Sequence, residues 1–83
     1  MNKYEILDTA LTGRDQEILG YQVNIDNYVR AISKINAEHA DNPAMTEFRD
    51  HLANMLESHK TEQLKAIVIR DVIAEQLAEM RNS

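Results

Sequence analysis

Along the first half of the chain, apolar side chains recur at alternating steps of three and four: Tyr4, Leu7, Leu11, Ile18, Tyr21, Ile25, Tyr28, Ile32 and Ile35, with His39 in the same frame. That spacing gathers them on one face of a helix, as in a heptad seam. Arg14 is the single break, beside Gly13. A second frame follows Pro43: Met45, Phe48, Leu52, Met55, His59, Ala66, Ile69, Ile73 and Met80, interrupted by Glu62 and Gln76. Two such seams predict an all-α antiparallel helical hairpin. Residues equidistant from the turn then face one another, with Ile35 near Phe48, Tyr21 near Glu62 and Leu11 near Val72. The expected core is Leu7, Leu11, Ile18, Ile25, Ile32, Ile35, Phe48, Leu52, Met55, Ile69, Ile73 and Leu77.

Residues that interrupt helices are few, so each one counts. Gly13 and Gly20 are the only glycines and Pro43 the only proline. Asn42 suits an N-cap and Pro43 the first helical position, and proline drives the residue before it out of the α region. A tight turn is therefore expected at 41–42, followed by a helix over about 43–80. Near LTGRD, Thr12 and Asp15 resemble a capping box with an acid in place of the usual Glu or Gln. Either a short helix over about 2–11 ends there and a second runs over about 14–40, or one helix continues with a kink at Gly13. Residues 1–83 form a single helical domain in both cases.

The segment AIVIRDVIAEQL, 66–77, is the most apolar part of the chain. Its isoleucines and valines favour strands, but its flanks contain no turn residue and a lone strand would have no partner, so the pattern predicts helix. At about 100° per residue, Ala66, Ile69, Ile73, Leu77 and Met80 face the first arm. Ile67, Ala74 and Ala78 lie on one flank, and Leu64, Val68 and Val72 on another. A helix apolar nearly all round is buried on several sides, which one opposing helix cannot achieve. Leaving Ile67, Val68 and Val72 wet would forgo about 1.5–3 kcal/mol each. The simplest cover is a second copy, giving a dimeric helical bundle or a higher oligomer. Leu19 and Val23 stand off the first seam beside Gly20, where a missing side chain permits close backbone approach. The expected self-association residues are Leu19, Leu64, Ile67, Val68 and Val72. Two alternatives are a short N-terminal helix folded back as a third helix and an obligate partner of another sequence.

Composition narrows the function. At 83 residues the chain supports one small domain, of a size at which a lone hydrophobic core is marginal. With no cysteine, disulfides and thiolate metal sites are excluded. The net charge is −5, with acids and bases well mixed, so the basic stripe of a phosphate-binding surface is missing. The N-terminus carries charges inside its apolar stretch, unlike a signal peptide, and no apolar run is long enough for a membrane span. A soluble cytoplasmic protein is expected, with no membrane partner and no direct contact with nucleic acid.

No arrangement of residues points to catalysis. His51 and His59 are too far apart for a helical zinc pair, and His39 lies across the turn. His39 and His59 read as polar seam residues, and His51 with Glu47 as a surface pair. NIDN, 24–27, lacks the glycine and terminal glutamate of a calcium loop. There is no glycine-rich phosphate loop and no nucleophile with triad partners, so neither an enzyme nor a cofactor or metal is expected. EILGYQVNIDNYV, 17–29, has the glycine of a helix-turn-helix, but its would-be recognition helix is short of positive charge and the seam keeps its phase through Gly20.

The stretch MNKYEILDTALTGRDQEILGYQVNIDNY, with GRDQEILGYQ at its centre, resembles the small accessory proteins encoded in the early region of lambda-like temperate bacteriophages. The resemblance covers roughly the first third of the chain and contains no catalytic motif. It implies a protein made early after infection or induction, which shifts host physiology or the lysis–lysogeny balance by binding a host or phage protein. It carries over no site residues. The expected function is thus a non-enzymatic protein–protein interaction module. The alternative is a small transcriptional regulator associated with nucleic acid.

Overall fold

The computed structural model describes residues 1–82. It contains two helices, α1 (Lys3–Glu38) and α2 (Pro43–Asn82), folded back on each other as an antiparallel hairpin. The result is a rod of 62 × 17 × 15 Å.

Both helix starts follow local chemistry. Asn2 caps α1 by accepting from the Glu5 amide at 2.9 Å. Asn42 caps α2 by accepting from the amides of Ala44 and Met45 at 3.1 and 3.3 Å. Each bond satisfies a donor that has no partner within the helix. The turn is slightly longer than 41–42. α1 ends at Glu38, the His39 amide still donates to Ile35 O, and the Asn42 amide closes the turn onto His39 O.

α1 runs unbroken through Gly13 and Gly20, so no separate helix forms over 2–11. Thr12 does not cap a new helix. Its hydroxyl donates back to Asp8 O at 3.2 Å, a bond that helix-interior threonines make. Asp15 accepts instead from Arg70 of α2 at 3.3 Å. A helix-interior glycine costs about 1 kcal/mol, which α1 offsets by packing on both sides of Gly13, through Leu7, Leu11 and Ile18. The absence of a turn at Gly20 also removes the helix-turn-helix geometry.

The α1 face is the one its sequence indicates. Ile25 and Ile35 are buried, while Leu7, Leu11, Ile18, Tyr21, Tyr28 and Ile32 are half-buried. His39 does not join the seam; it is exposed beside Glu38. α2 is turned by one residue from the expected face. Met45, Leu52, His59, Ala66, Ile73 and Leu77 do point inward and Met55 is half-buried, but Arg49, Leu56, Gln63 and Arg70 complete the seam. Phe48 and Ile69, expected in the core, are 48% and 43% exposed.

The reason lies in three polar residues that reach across to α1. Arg49 donates to Asn36 at 3.1 Å, Gln63 to Gln22 at 2.9 Å and to Ile18 O at 3.2 Å, and Arg70 to Asp15 at 3.3 Å. Long polar side chains bury their stems and keep their heads bonded, so such a row can line a seam. These rungs step in whole heptads along both helices and fix the register. Opposite Asn36, Gln22 and Asp15 stand Arg49, Gln63 and Arg70, in place of the Ile35–Phe48, Tyr21–Glu62 and Leu11–Val72 layers. His59 adds a fourth lock. Its ring meets those of Tyr21 and Tyr28 edge-on, with centroids 5.8 and 5.1 Å away, and its Nδ1 bonds Met55 O at 2.8 Å.

Candidate interaction surface

The outer face of α2 carries the apolar flank that its sequence indicates. Leu64, Val68 and Val72 are spaced four apart and form a single ridge along the helix. They are 61%, 55% and 46% exposed. Ile69 extends this ridge on one side. Ile67, on the other side, is half-buried in the hairpin itself. Of the five expected self-association residues, three thus share the ridge and Ile67 is partly used by its own chain.

Leu19, the fifth, belongs to α1 and is exposed with Val23. The structure brings it level with Leu64, because Gln63, the residue before Leu64, bonds both Ile18 O and Gln22. A methyl group built on Gly20 or Gly13 would meet nothing within 4 Å. Neither glycine is therefore required by the packing of α1 on α2.

Charges border the ridge unevenly. Lys60 and Lys65 lie toward its N-terminal end, where they pair with Glu57 at 3.3 Å and Glu62 at 3.0 Å. Asp71, Glu75 and Glu79 lie toward its C-terminal end. Asp71 accepts from Arg70 at 2.8 Å. All of these ion pairs are solvent-exposed, so each contributes at most about 1 kcal/mol and can be exchanged for another partner.

No protein-family model matches this chain, and no curated protein or solved structure matches it. The functional reading therefore stands on the residues alone. Among the described residues no pocket opens, and no three His, Asp or Glu side chains gather as a metal site. No described helix is long and apolar enough to cross a membrane. His51 is exposed on α2, and NIDN lies within α1, where Asp26 accepts from Gln22 at 3.0 Å.

The sequence pattern missed the inward row of Arg49, Gln63 and Arg70. A signal for it was present, because Leu56 and Leu77 occupy the same heptad position as these three.

Proposed function

We propose that this chain is a non-enzymatic interaction module, which pairs with itself through α2 and acts by binding a protein partner. The observation that carries the reading is the exposed ridge of Leu64, Val68 and Val72 on a helix whose inner row is partly polar. The surface area supports it. The hairpin exposes 5933 Å², whereas a compact monomer of 9.5 kDa exposes about 5,000 Å². The excess of roughly 900 Å² is close to the ~800 Å² that each partner buries in an interface of standard size. The resemblance of its first third to phage early-region accessory proteins supports a host or phage protein in a bacterial cytoplasm as its target. The acidic balance of the chain favours such a partner over nucleic acid.

Light scattering on a gel-filtration column tests the self-association. The native chain is expected at twice its 9.5 kDa mass. Val68→Glu puts a charge into the apolar ridge, and is expected to give single chains or unfolded protein. A native monomer at high concentration would refute the reading. Retention of duplex DNA that weakens steeply as salt rises would favour a regulator acting on nucleic acid instead.

A further inference from the structure

The apolar surface midway along the rod lies to one side of the hairpin. Gln63 bonds Gln22 and Ile18 O, and Arg70 bonds Asp15, so these rungs mark one flank of the seam. From Gln63, Ile67 and Leu64 lie about 40° and 100° further round α2. From Gln22, Leu19 lies about 60° further round α1 in the same sense. In antiparallel helices one sense of rotation leads outward on the same side of the pair, so Leu19, Leu64 and Ile67 share the rung flank. The opposite flank differs. At the same level it carries Glu17 and Asn24 from α1 and Glu62 and Lys65 from α2, none of them apolar. Glu17 pairs there with Arg14 at 2.9 Å, and Lys65 with Glu62 at 3.0 Å. Ile69 and Val72 turn toward that flank only further along α2.

We propose that two hairpins lie flank to flank as a four-helix bundle, each covering the other's Leu19, Leu64 and Ile67 on the rung side, with Val68 and Val72 toward the rim. The assignment rests on the self-association reading above and adds that α1 takes part in it. The size of the contact requires this. An interface of standard size draws about 20–30 residues from each side. One stripe of α2, about 100° wide, holds roughly a third of its 40 residues, so a second helix has to contribute. The polar rung at the centre does not oppose the contact. Gln63 already donates to two acceptors, and Gln22 donates to Asp26 at 3.0 Å, so both amide nitrogens enter it bonded. Asp26, Lys60 and Asp71 border the patch, which gives an apolar centre and a polar rim. Each flank meets the same flank of the other copy, as a two-fold dimer requires.

Two residues of α1 separate the flanks. Leu19→Glu and Asn24→Glu each add one carboxylate to an exposed site of the same helix, the first on the rung flank and the second on the opposite one. In the full chain, Leu19→Glu is expected to weaken the dimer at least about a hundredfold. Asn24→Glu is expected to leave it within about threefold of the native value. The chain has no cysteine, so a single introduced thiol gives a second measurement that does not depend on dissociation. In samples that gel filtration shows to be dimeric, Leu19→Cys is expected to react with a maleimide at least about tenfold more slowly than Asn24→Cys. A native dimer that tolerates Leu19→Glu, or whose Leu19→Cys thiol reacts as fast as Asn24→Cys, would overturn this face and leave self-association standing. A native monomer would overturn both the face and the reading beneath it.

Discussion

Gly13 shows how a residue that looks like a break can be an ordinary helix position. No neighbour approaches the space its side chain would fill, and its backbone is helical. Gly13→Ala should therefore remove unfolded-state entropy without a clash, and stabilise the protein by about 0.5–1 kcal/mol. Urea unfolding followed by circular dichroism would measure the gain. A loss of stability would show that another chain approaches α1 at this point. The capping pattern Thr12–Asp15 suggested a helix end because those residue types favour one. Two bonds override it: Thr12 bonds back to Asp8 within the helix, and Asp15 is held by Arg70 from the far arm. The Asn42–Pro43 turn was legible because its bonds are local, whereas the role of Asp15 depends on a residue 55 positions away.

The phase of α2 was the hardest feature to read at the level of the elements. The α1 seam is nearly all apolar, so its face follows from spacing alone. In α2 two adjacent heptad rows compete. One holds Phe48, Met55 and Ile69; the other holds Arg49, Leu56, Gln63, Arg70 and Leu77. Hydrophobicity favours the first row, but the hairpin chooses the second. Arg49, Gln63 and Arg70 each find a partner on α1 there, and the very small Ala66 is buried close by. Arg49, Gln63 and Arg70 are half-buried, so they add less stability than leucines would at the same places while favouring one face of α2. Replacing Gln63 and Arg70 together by leucine is therefore expected to raise the thermal midpoint while relaxing the choice of face. Two-dimensional NMR would show extra or broadened amide peaks for α2 in that variant. One sharp set of peaks with a lower midpoint would show instead that the rungs contribute net stability. The same turn of α2 leaves Ile69 exposed beside the outer ridge of Leu64, Val68 and Val72.

The whole molecule has a thin core. The buried residues are Ile25, Ile35, Leu52, Ala66, Ile73 and Leu77, spread along a rod 62 Å long. Two helices side by side shield each other on one face only, and folded domains hold a margin of only about 5–15 kcal/mol. Burying Leu64, Val68 and Val72 against a second copy would add about 1.5–3 kcal/mol per side chain at full coverage. If the proposed pairing holds, the chain draws part of its stability from a second copy and its folding is linked to its concentration. The pattern of residues disclosed the surplus of apolar surface on α2 and the ridge that carries it. It did not disclose that Ile67 is partly taken up by the hairpin or that Ile69 is left outside, since both depend on the one-residue turn of α2.

The most direct test of this dependence is the thermal midpoint of the native protein, followed by circular dichroism at two concentrations a hundredfold apart. If the hairpin needs a second copy, the midpoint should rise with concentration, by about 5–10 °C over that range. A midpoint that stays constant while the protein remains fully helical would show that the lone hairpin is self-sufficient, contrary to this account.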